Sequence, residues 1–270
     1  MPNLGIFNKE KTESGPVVAI DIGNTHVHVG WYAQKKWRVL EKWPAKPTDS
    51  ALWRQKFLSM GWTEPEEPAC VVFCSVNPDV TAAVVKAVQA VWQLPVREIR
   101  SPGYGMTVQY EPASALGSDR FANALGAWRK WQEDVIVIDI GTAITIDWVQ
   151  ASGIFAGGFI GSGPHLLAQC LSCHTAQLPL IASDSLGHNL SPGHTTHDAL
   201  EAGIALTTQG FLKEGVAQLR HAAGSQVPVV FTGGGAEPFW KNWPEAARYA
   251  PLLTLEGLLS AGCQQDDSKD

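Results

Sequence analysis

The chain has 270 residues, of which 45% are hydrophobic and 17% are charged. This balance is typical of folded globular proteins and excludes general disorder. At roughly 150 residues per domain, the length predicts about two domains. The formal net charge of −6 is uneven, since residues 1–125 carry 13 basic and 12 acidic residues while residues 126–270 carry 7 and 14. Neither half clusters Lys and Arg as a nucleic-acid surface does, so no nucleic-acid partner is expected.

Signals for a membrane or for export are not recognisable in the sequence. No run of about 18 apolar residues occurs, and residues 1–15 lack the apolar centre of a signal peptide. We therefore expect a cytoplasmic protein with no membrane partner. Five Cys form a sparse and odd set, so we expect reduced thiols and no disulfide framework.

The first predicted element is a β-hairpin. Residues 1–15 show no sustained hydrophobic period and predict a flexible extension. The apolar, β-branched run over residues 17–22 predicts a strand, which Gly23 interrupts. Alternation over residues 26–32 predicts a second strand that pairs with the first.

The same hairpin pattern returns over residues 135–149, and both copies contain Asp-Ile-Gly, at Asp21 and at Asp139. This internal repeat predicts two related halves. We place the first domain at residues 16–125 and the second at residues 126–262, with a polar tail over residues 263–270.

Helices and strands are predicted between and after the two hairpins, so each half mixes both types of element. Helices are expected over residues 79–93, 118–131, 166–173, 197–219 and 255–261, and buried strands over residues 69–76 and 227–232.

The two hairpin turns carry residues that suit phosphate and cation binding. Glycine lets the backbone approach a phosphate, turn N–H groups and a Thr hydroxyl donate to its oxygens, and a carboxylate holds a cation that offsets its charge. One such turn alone is an ordinary hairpin turn. Two matched copies predict that a nucleoside triphosphate binds. The sequence contains no G-x-x-x-x-G-K-[ST] pattern, which excludes a P-loop fold.

A second candidate motif is Gly-Ser-Asp-Arg at residues 117–120, where a helix is predicted to begin. A carboxylate beside an arginine at a helix start can act as a general base and an anion clamp. The structural alternative is an N-capping Ser118 with Asp119 and Arg120 on the surface.

These motifs resemble the type III pantothenate kinases, a family of the acetate kinase, sugar kinase, Hsp70 and actin superfamily. The resemblance implies an α/β fold of two related ribonuclease H-like (actin-like ATPase) domains, with mixed sheets flanked by helices and the active site in the cleft between them. The matching segments, in chain order, are a first phosphate loop at residues 21–25, a pantothenate and catalytic loop at residues 117–120, a second phosphate loop at residues 139–145, residues 157–160 and 175–179, Thr196 with Ala199 and Gly203, and residues 232–234.

The resemblance also implies an activity and the residues that perform it. The reaction is transfer of the γ-phosphate of ATP to the primary hydroxyl of pantothenate, the first step of coenzyme A biosynthesis, with Asp119 as the proton acceptor. The resemblance implies a monovalent cation, K⁺ or NH₄⁺, near Asp139. The mechanism of phosphoryl transfer separately predicts Mg²⁺ on the ATP phosphates, held through Asp21, directly or through water, with Asp139 as a second candidate. ATP contacts are implied for Asp21, Ile22, Gly23, Asn24, Thr25, His26, Val27, His28 and Thr142. Pantothenate contacts are implied for Tyr110, Gly117, Ser118, Asp119, Arg120 and Thr196, the last of which reaches across a homodimer interface.

Two positions depart from the family pattern, because Thr195 replaces a usual Asn and Ser162 replaces a common Pro. Both bear on the shape of the substrate pocket rather than on the reaction class. His26 and His28 follow the first phosphate loop, where we expect them to be strand residues rather than catalysts.

Two rival functions fit the same fold, namely another phosphotransferase or a phosphatase, and a non-catalytic regulatory or accessory protein. Retention of Asp21, Asp119, Arg120 and Asp139 favours an active enzyme over the second rival.

Cys170-x-x-Cys173-His174 matches a covalent haem-attachment pattern, but we interpret it as coincidental because no export signal is recognisable. A zinc site from Cys70, Cys74, Cys170 and Cys173 is also disfavoured, since the first two lie on an apolar strand where buried thiols are common.

Overall fold

The computed structural model describes residues 15–46, 49–60, 67–182 and 190–262. They form two compact units, each assembled from separate segments. The first unit contains the described residues up to Arg100, residues 117–122 and the residues from Thr254, and the second contains residues 101–116 and 123–253. The predicted extension, apart from Gly15, and the predicted tail lie outside the described residues.

The first unit is built on a five-stranded sheet with the strand order β3-β2-β1-β4-β5. Its centre forms where apolar runs predict, since β1 and β2 are an antiparallel hairpin and β4 pairs with β1 in parallel. Two helices cover one face of this sheet and enclose a core that includes Ile20, Phe73 and Val84. The elements are β1 (Val17–Ile22), β2 (His26–Ala33), β3 (Lys36–Pro44), α1 (Ser50–Ser59), β4 (Cys70–Ser75), α2 (Pro78–Trp92) and β5 (Val96–Glu98).

The second unit is built on a six-stranded sheet with the order β11-β10-β7-β8-β9-β6. Its core joins the central strands to α5 and α6 and includes Ile138, Ile146 and Leu212. The elements are β6 (Thr107–Val108), a 3₁₀ turn (Ala113–Ala115), α3 (Ser118–Trp131), β7 (Val135–Ile140), β8 (Ala143–Val149), β9 (Ile154–Ser162), α4 (Pro164–Cys173), α5 (Thr196–Ala223), β10 (Val229–Thr232), α6 (Glu237–Lys241), β11 (Arg248–Tyr249) and α7 (Leu253–Ala261). Of these, α3 begins in the first unit and α7 lies there from Thr254 onward.

The two sheets share one topology. The order β3-β2-β1-β4-β5 of the first sheet corresponds to β9-β8-β7-β10-β11 of the second, with β6 as an additional strand. In β1 and in β7, every residue is buried except the Asp, which is partly exposed. The repeat read from Asp21 and Asp139 therefore has a structural counterpart.

Helix α7 lies against the start of α3 in the first unit. A Cβ built on Gly257 would lie 1.8 Å from the carbonyl oxygen of Ala122, so only a glycine permits this approach. The segment after the second sheet thus supports the helix that carries Asp119. A boundary near residue 126 stays a prediction. The compact units are discontinuous, because residues 117–122 and most of α7 belong to the first unit and residues 101–116 belong to the second.

The expectation of reduced thiols is wrong at one position, because Cys70 is disulfide-bonded. Cys74, Cys170 and Cys173 are free. Among the described residues, none of the helices combines the length and the apolar character that a membrane crossing needs.

Candidate active site

The predicted first phosphate loop follows Asp21 near the end of β1. The Gly23 N–H donates to the carbonyl oxygen of His26 at 2.9 Å, which closes the turn. Asn24 and Thr25 are exposed in this turn. The Asn77 side chain, which caps α2, also reaches the Gly23 carbonyl oxygen at 3.5 Å. Gly23 therefore closes the loop and links it to the start of α2, while Asn24 and Thr25 stay at the surface.

The Asp21 carboxylate has two side-chain neighbours in the same unit. His28 Nδ1 lies 3.2 Å from Oδ2, and Cys74 Sγ lies 3.5 Å from Oδ1. Burial raises the pKa of the Cys74 thiol well above its ordinary value, and the charges of Asp21 and Asp119 raise it further. The thiol is therefore neutral and donates its hydrogen to the carboxylate.

The predicted pantothenate and catalytic loop, residues 117–120, is fixed to the sheet of the first unit by Ser118. Its hydroxyl donates to the Ser75 carbonyl oxygen at 2.8 Å and accepts from the Ser75 N–H at 3.0 Å. Ser118 is buried. These two bonds hold the start of α3 against the end of β4, so the hydroxyl positions the residues that follow it.

Asp119 is a partly buried carboxyl at the first turn of α3. Its Oδ1 accepts from the Arg120 N–H at 2.7 Å. A Cβ on Gly117 would lie 2.7 Å from the same oxygen, so the glycine leaves room for the carboxylate. Burial raises the pKa of Asp119, and the negative charge of Asp21 raises it further, while bonding to Arg120 opposes the shift. Arg120 is itself buried. A carboxyl with a raised pKa is a stronger proton acceptor than an ordinary aspartate.

The equivalent carboxylate in the second unit is Asp139, at the end of β7. Asn123 Nδ2 donates to its Oδ2 at 2.7 Å, and Asn123 is only 1% exposed. Gly233 lies so close that a Cβ there would be 2.2 Å from Oδ1. The position of this carboxylate is therefore determined by an amide on one side and a glycine backbone on the other.

The surroundings of Asp139 are rich in oxygen atoms that could hold a cation. Its cross-strand partners are Thr145 on β8 and Thr232 on β10, so the three side chains lie on one face of the sheet. The hydroxyl oxygens of both threonines are buried and have no hydrogen-bond partner among the described residues. A carboxylate with two such oxygens is the all-oxygen donor set that a hard cation prefers.

The remaining predicted residues are partly accessible. Tyr110 is half-buried, and its ring centroid lies 6.4 Å from that of Phe155 in the second unit. Thr142 is exposed in the second hairpin turn, and Thr196 is exposed as the first residue of α5. Thr195, which departs from the family pattern, caps this helix by accepting from the Asp198 N–H at 3.1 Å.

The structure brings Asp21, His28 and residues 117–120 together in the first unit, while Asp139 and Thr142 lie in the second. Sequence reasoning assigned no role to Cys74 or Asn123. Asn123 lies one helical turn after Asp119, a spacing that could have identified it. Nothing local marks Cys74, because its link to Asp21 depends on strand pairing.

The haem and zinc alternatives gain no support. Cys170 and Cys173 are exposed free thiols at the end of α4. Across the described ranges, no three His, Cys, Asp or Glu side chains group as a metal site. A magnesium ion in such a protein depends on one or two carboxylates together with water and substrate phosphates, and Asp21 at the phosphate loop meets that requirement.

Comparisons with known proteins agree with the expected fold. A family model described as type III pantothenate kinase matches residues 17–218. A curated type III pantothenate kinase of Thermomicrobium roseum is 29% identical over 255 residues, which cover 91% of this chain and 96% of that protein. A solved Baf family structure from Campylobacter jejuni aligns with a TM-score of 0.55 at 20% identity, covering 90% of this chain and 96% of that one.

A ROK family glucokinase from Streptomyces griseus, solved with glucose and AMPPNP, aligns with a TM-score of 0.50 at 16% identity and covers 92% of this chain and 98% of that one. This likeness concerns the fold alone, and it confirms the predicted class of two mixed sheets flanked by helices. Because the family model covers most of the chain and the curated relative matches it along nearly its whole length, the chain belongs to the type III pantothenate kinase family.

Proposed function

We propose that the chain transfers the γ-phosphate of ATP to the primary hydroxyl of pantothenate, giving 4′-phosphopantothenate, the first step of coenzyme A biosynthesis. Family membership supports pantothenate kinase function in general. The observation that carries the specific reaction is the partly buried Asp119 carboxyl at the start of α3, whose Oδ1 accepts from the Arg120 N–H and whose pKa is raised by burial and by the charge of Asp21.

Asp119 acts as the general base in this proposal. Phosphoryl transfer requires an aligned acceptor oxygen, a group that takes its proton, and neutralisation of charge on the phosphates. Asp119 is partly buried, and the Arg120 N–H fixes one of its oxygens. The other oxygen takes the hydroxyl proton of pantothenate, while the Arg120 guanidinium holds the carboxylate end of the substrate.

In this proposal the nucleotide is bound by the two hairpin turns that follow Asp21 and Asp139. Turn N–H groups and the exposed Thr25 and Thr142 hydroxyls donate to phosphate oxygens. Mg²⁺, when bound, neutralises charge on those oxygens, and Asp21 would hold it directly or through water. Asp139 with Thr145 and Thr232 would hold K⁺ or NH₄⁺.

A homodimer is part of the proposal, with Thr196 reaching the partner's pantothenate. Apolar side chains are exposed in the second unit, with Ile160 on β9 at 60% and Leu206 on α5 at 64% exposure. Burial of these two side chains in a dimer interface would remove their apolar area from water. Light scattering of the purified chain tests this: a mass of one chain contradicts it.

The pH dependence of activity should report the raised pKa of Asp119. The base works only when ionised, so kcat/KM for pantothenate is expected to fall as pH decreases, with a midpoint above the ordinary Asp pKa of about 4. The profile should be measured at saturating Mg·ATP with a coupled ADP assay whose coupling enzymes are in excess at each pH. If kcat/KM falls with a midpoint at or below pH 4, the result contradicts a raised pKa of Asp119.

The reaction itself is tested by incubating the purified chain with ATP, Mg²⁺, K⁺ and pantothenate and measuring ADP and phosphorylated product. Replacing K⁺ by Na⁺ is expected to lower the rate, and a panel of other alcohols should give little product. If the chain phosphorylates another alcohol in preference to pantothenate, the result favours a different phosphotransferase. If no ADP forms with any acceptor, the result favours a non-catalytic regulatory or accessory protein.

A further inference from the structure

The Asp21 carboxylate is held by two hydrogen-bond donors that the proposed reaction does not itself use. His28 Nδ1 contacts Oδ2 at 3.2 Å and Cys74 Sγ contacts Oδ1 at 3.5 Å. A carboxylate only accepts hydrogen bonds, so Nδ1 carries the ring hydrogen in this contact. Each carboxylate oxygen therefore has one donor from the protein.

The strand register explains how both donors reach one carboxylate. Asp21 is the direct partner of His28 on β2 and of Cys74 on β4, so the three side chains project from the same face of the sheet. Side-chain exposure is 16% for Asp21 and 38% for His28, and Cys74 is fully buried. The carboxylate is thus fixed from both sides while its outer edge stays accessible.

The second unit lacks this arrangement at the equivalent positions. The cross-strand partners of Asp139 are Thr145 and Thr232, and their hydroxyl oxygens have no partner among the described residues. The two halves of the repeat have therefore diverged where the strands flank the Asp. The first half supplies donors to the carboxylate, and the second half supplies additional oxygen atoms.

We propose that His28 and Cys74 are positioning residues that orient the Asp21 carboxylate toward the magnesium–nucleotide complex. This inference rests on the proposed function, in which Asp21 holds Mg²⁺. Partners that orient a metal-binding carboxylate typically change metal affinity about 10- to 100-fold when removed. Neither residue contacts the reacting atoms, so their effect should appear in nucleotide binding and not in the use of pantothenate.

Paired substitutions separate hydrogen bonding from packing. His28→Leu and Cys74→Ala remove a donor, whereas His28→Asn keeps an N–H near the position of Nδ1 and Cys74→Ser keeps a hydroxyl. His221→Leu and Cys173→Ala are matched controls, since both side chains are exposed and neither contacts Asp21. Circular dichroism melts show whether each variant is folded.

Calorimetric binding of AMPPNP is measured for each variant with and without Mg²⁺. The donor-removing variants are expected to weaken binding about tenfold in the presence of Mg²⁺ and by less than twofold in its absence. The donor-keeping variants should recover most of this loss. In the kinase assay, KM for Mg·ATP should rise by a similar factor, with KM for pantothenate within twofold of the wild-type value.

The outcomes distinguish this inference from the proposed function. A wild-type chain that does not phosphorylate pantothenate overturns the proposed function, whereas the calorimetric comparison still tests the positioning of Asp21. Equal magnesium-dependent affinity in folded wild-type and donor-removing variants overturns the inference. So does a loss of affinity that the donor-keeping variants fail to recover, because packing alone would then account for it.

Discussion

Replacing Asp119 with Asn is expected to lower kcat for pantothenate phosphorylation by about 100-fold or more, without lowering the free energy of unfolding. An amide is close in size to a carboxylate and still offers an oxygen to the Arg120 N–H, but it cannot take a proton. Burial raises the pKa of Asp119, so ionising this group opposes folding. The folded state binds the extra proton, and stability therefore falls as pH rises from the unfolded pKa of about 4 through the raised folded pKa.

This prediction is checked by steady-state kinetics together with thermal melts of both proteins at pH 7. Asp79→Asn is the matched control, because Asp79 occupies the same second position of α2 but is exposed. The control should retain kcat within twofold. If Asp119→Asn turns over pantothenate at the wild-type rate, Asp119 is not the general base. If its melting temperature is strongly lowered, ionised Asp119 does not oppose folding.

The elements in which hydrophobic residues recur with a clear period could be predicted from the sequence. The predicted span of α3 agrees with the structure at both ends, because Ser118 stands at a polar boundary and buried residues such as Phe121 and Leu125 recur at helical spacing. Helix α1 was not predicted. It buries only Trp53 and Phe57, one turn apart, and this is too short a pattern to indicate a helix.

Strand β9 was also not predicted, because its glycines weaken any strand signal. The structure shows why one of them is needed. A Cβ on Gly158 would lie 2.2 Å from the Ile146 carbonyl oxygen of the adjacent strand. Close approach between strands is a tertiary property, and local preference does not reveal it.

The candidate site divides in the same way. The repeat identified Asp21 and Asp139, and a motif identified Asp119, because each is marked by its immediate neighbours. Cys74 is linked to Asp21 only by the parallel pairing of β1 and β4, whose register depends on the folded sheet. Local sequence therefore indicates the candidate reactive groups, while the side chains that contact them depend on tertiary packing.

Replacing Gly233 with Ala is expected to disrupt the proposed cation site around Asp139. Gly233 has a φ of +91°, a left-handed conformation that costs a residue with a side chain about 1–3 kcal/mol. The new methyl group would also lie 2.2 Å from Asp139 Oδ1 and 2.6 Å from the Ile140 carbonyl oxygen. Because the second overlap is with backbone, rotation of a side chain cannot relieve it, and the strand end must move.

We expect Gly233→Ala to lower the free energy of unfolding by about 2 kcal/mol or more and to reduce activation by K⁺, since Asp139 is displaced from the oxygens of Thr145 and Thr232. Chemical denaturation and a K⁺ titration of the rate measure the two effects. Gly210→Ala is the matched control, because a Cβ at that helical position meets open space and alanine favours a helix. If Gly233→Ala matches the wild type in both measurements, the close approach to Asp139 does not shape the cation site.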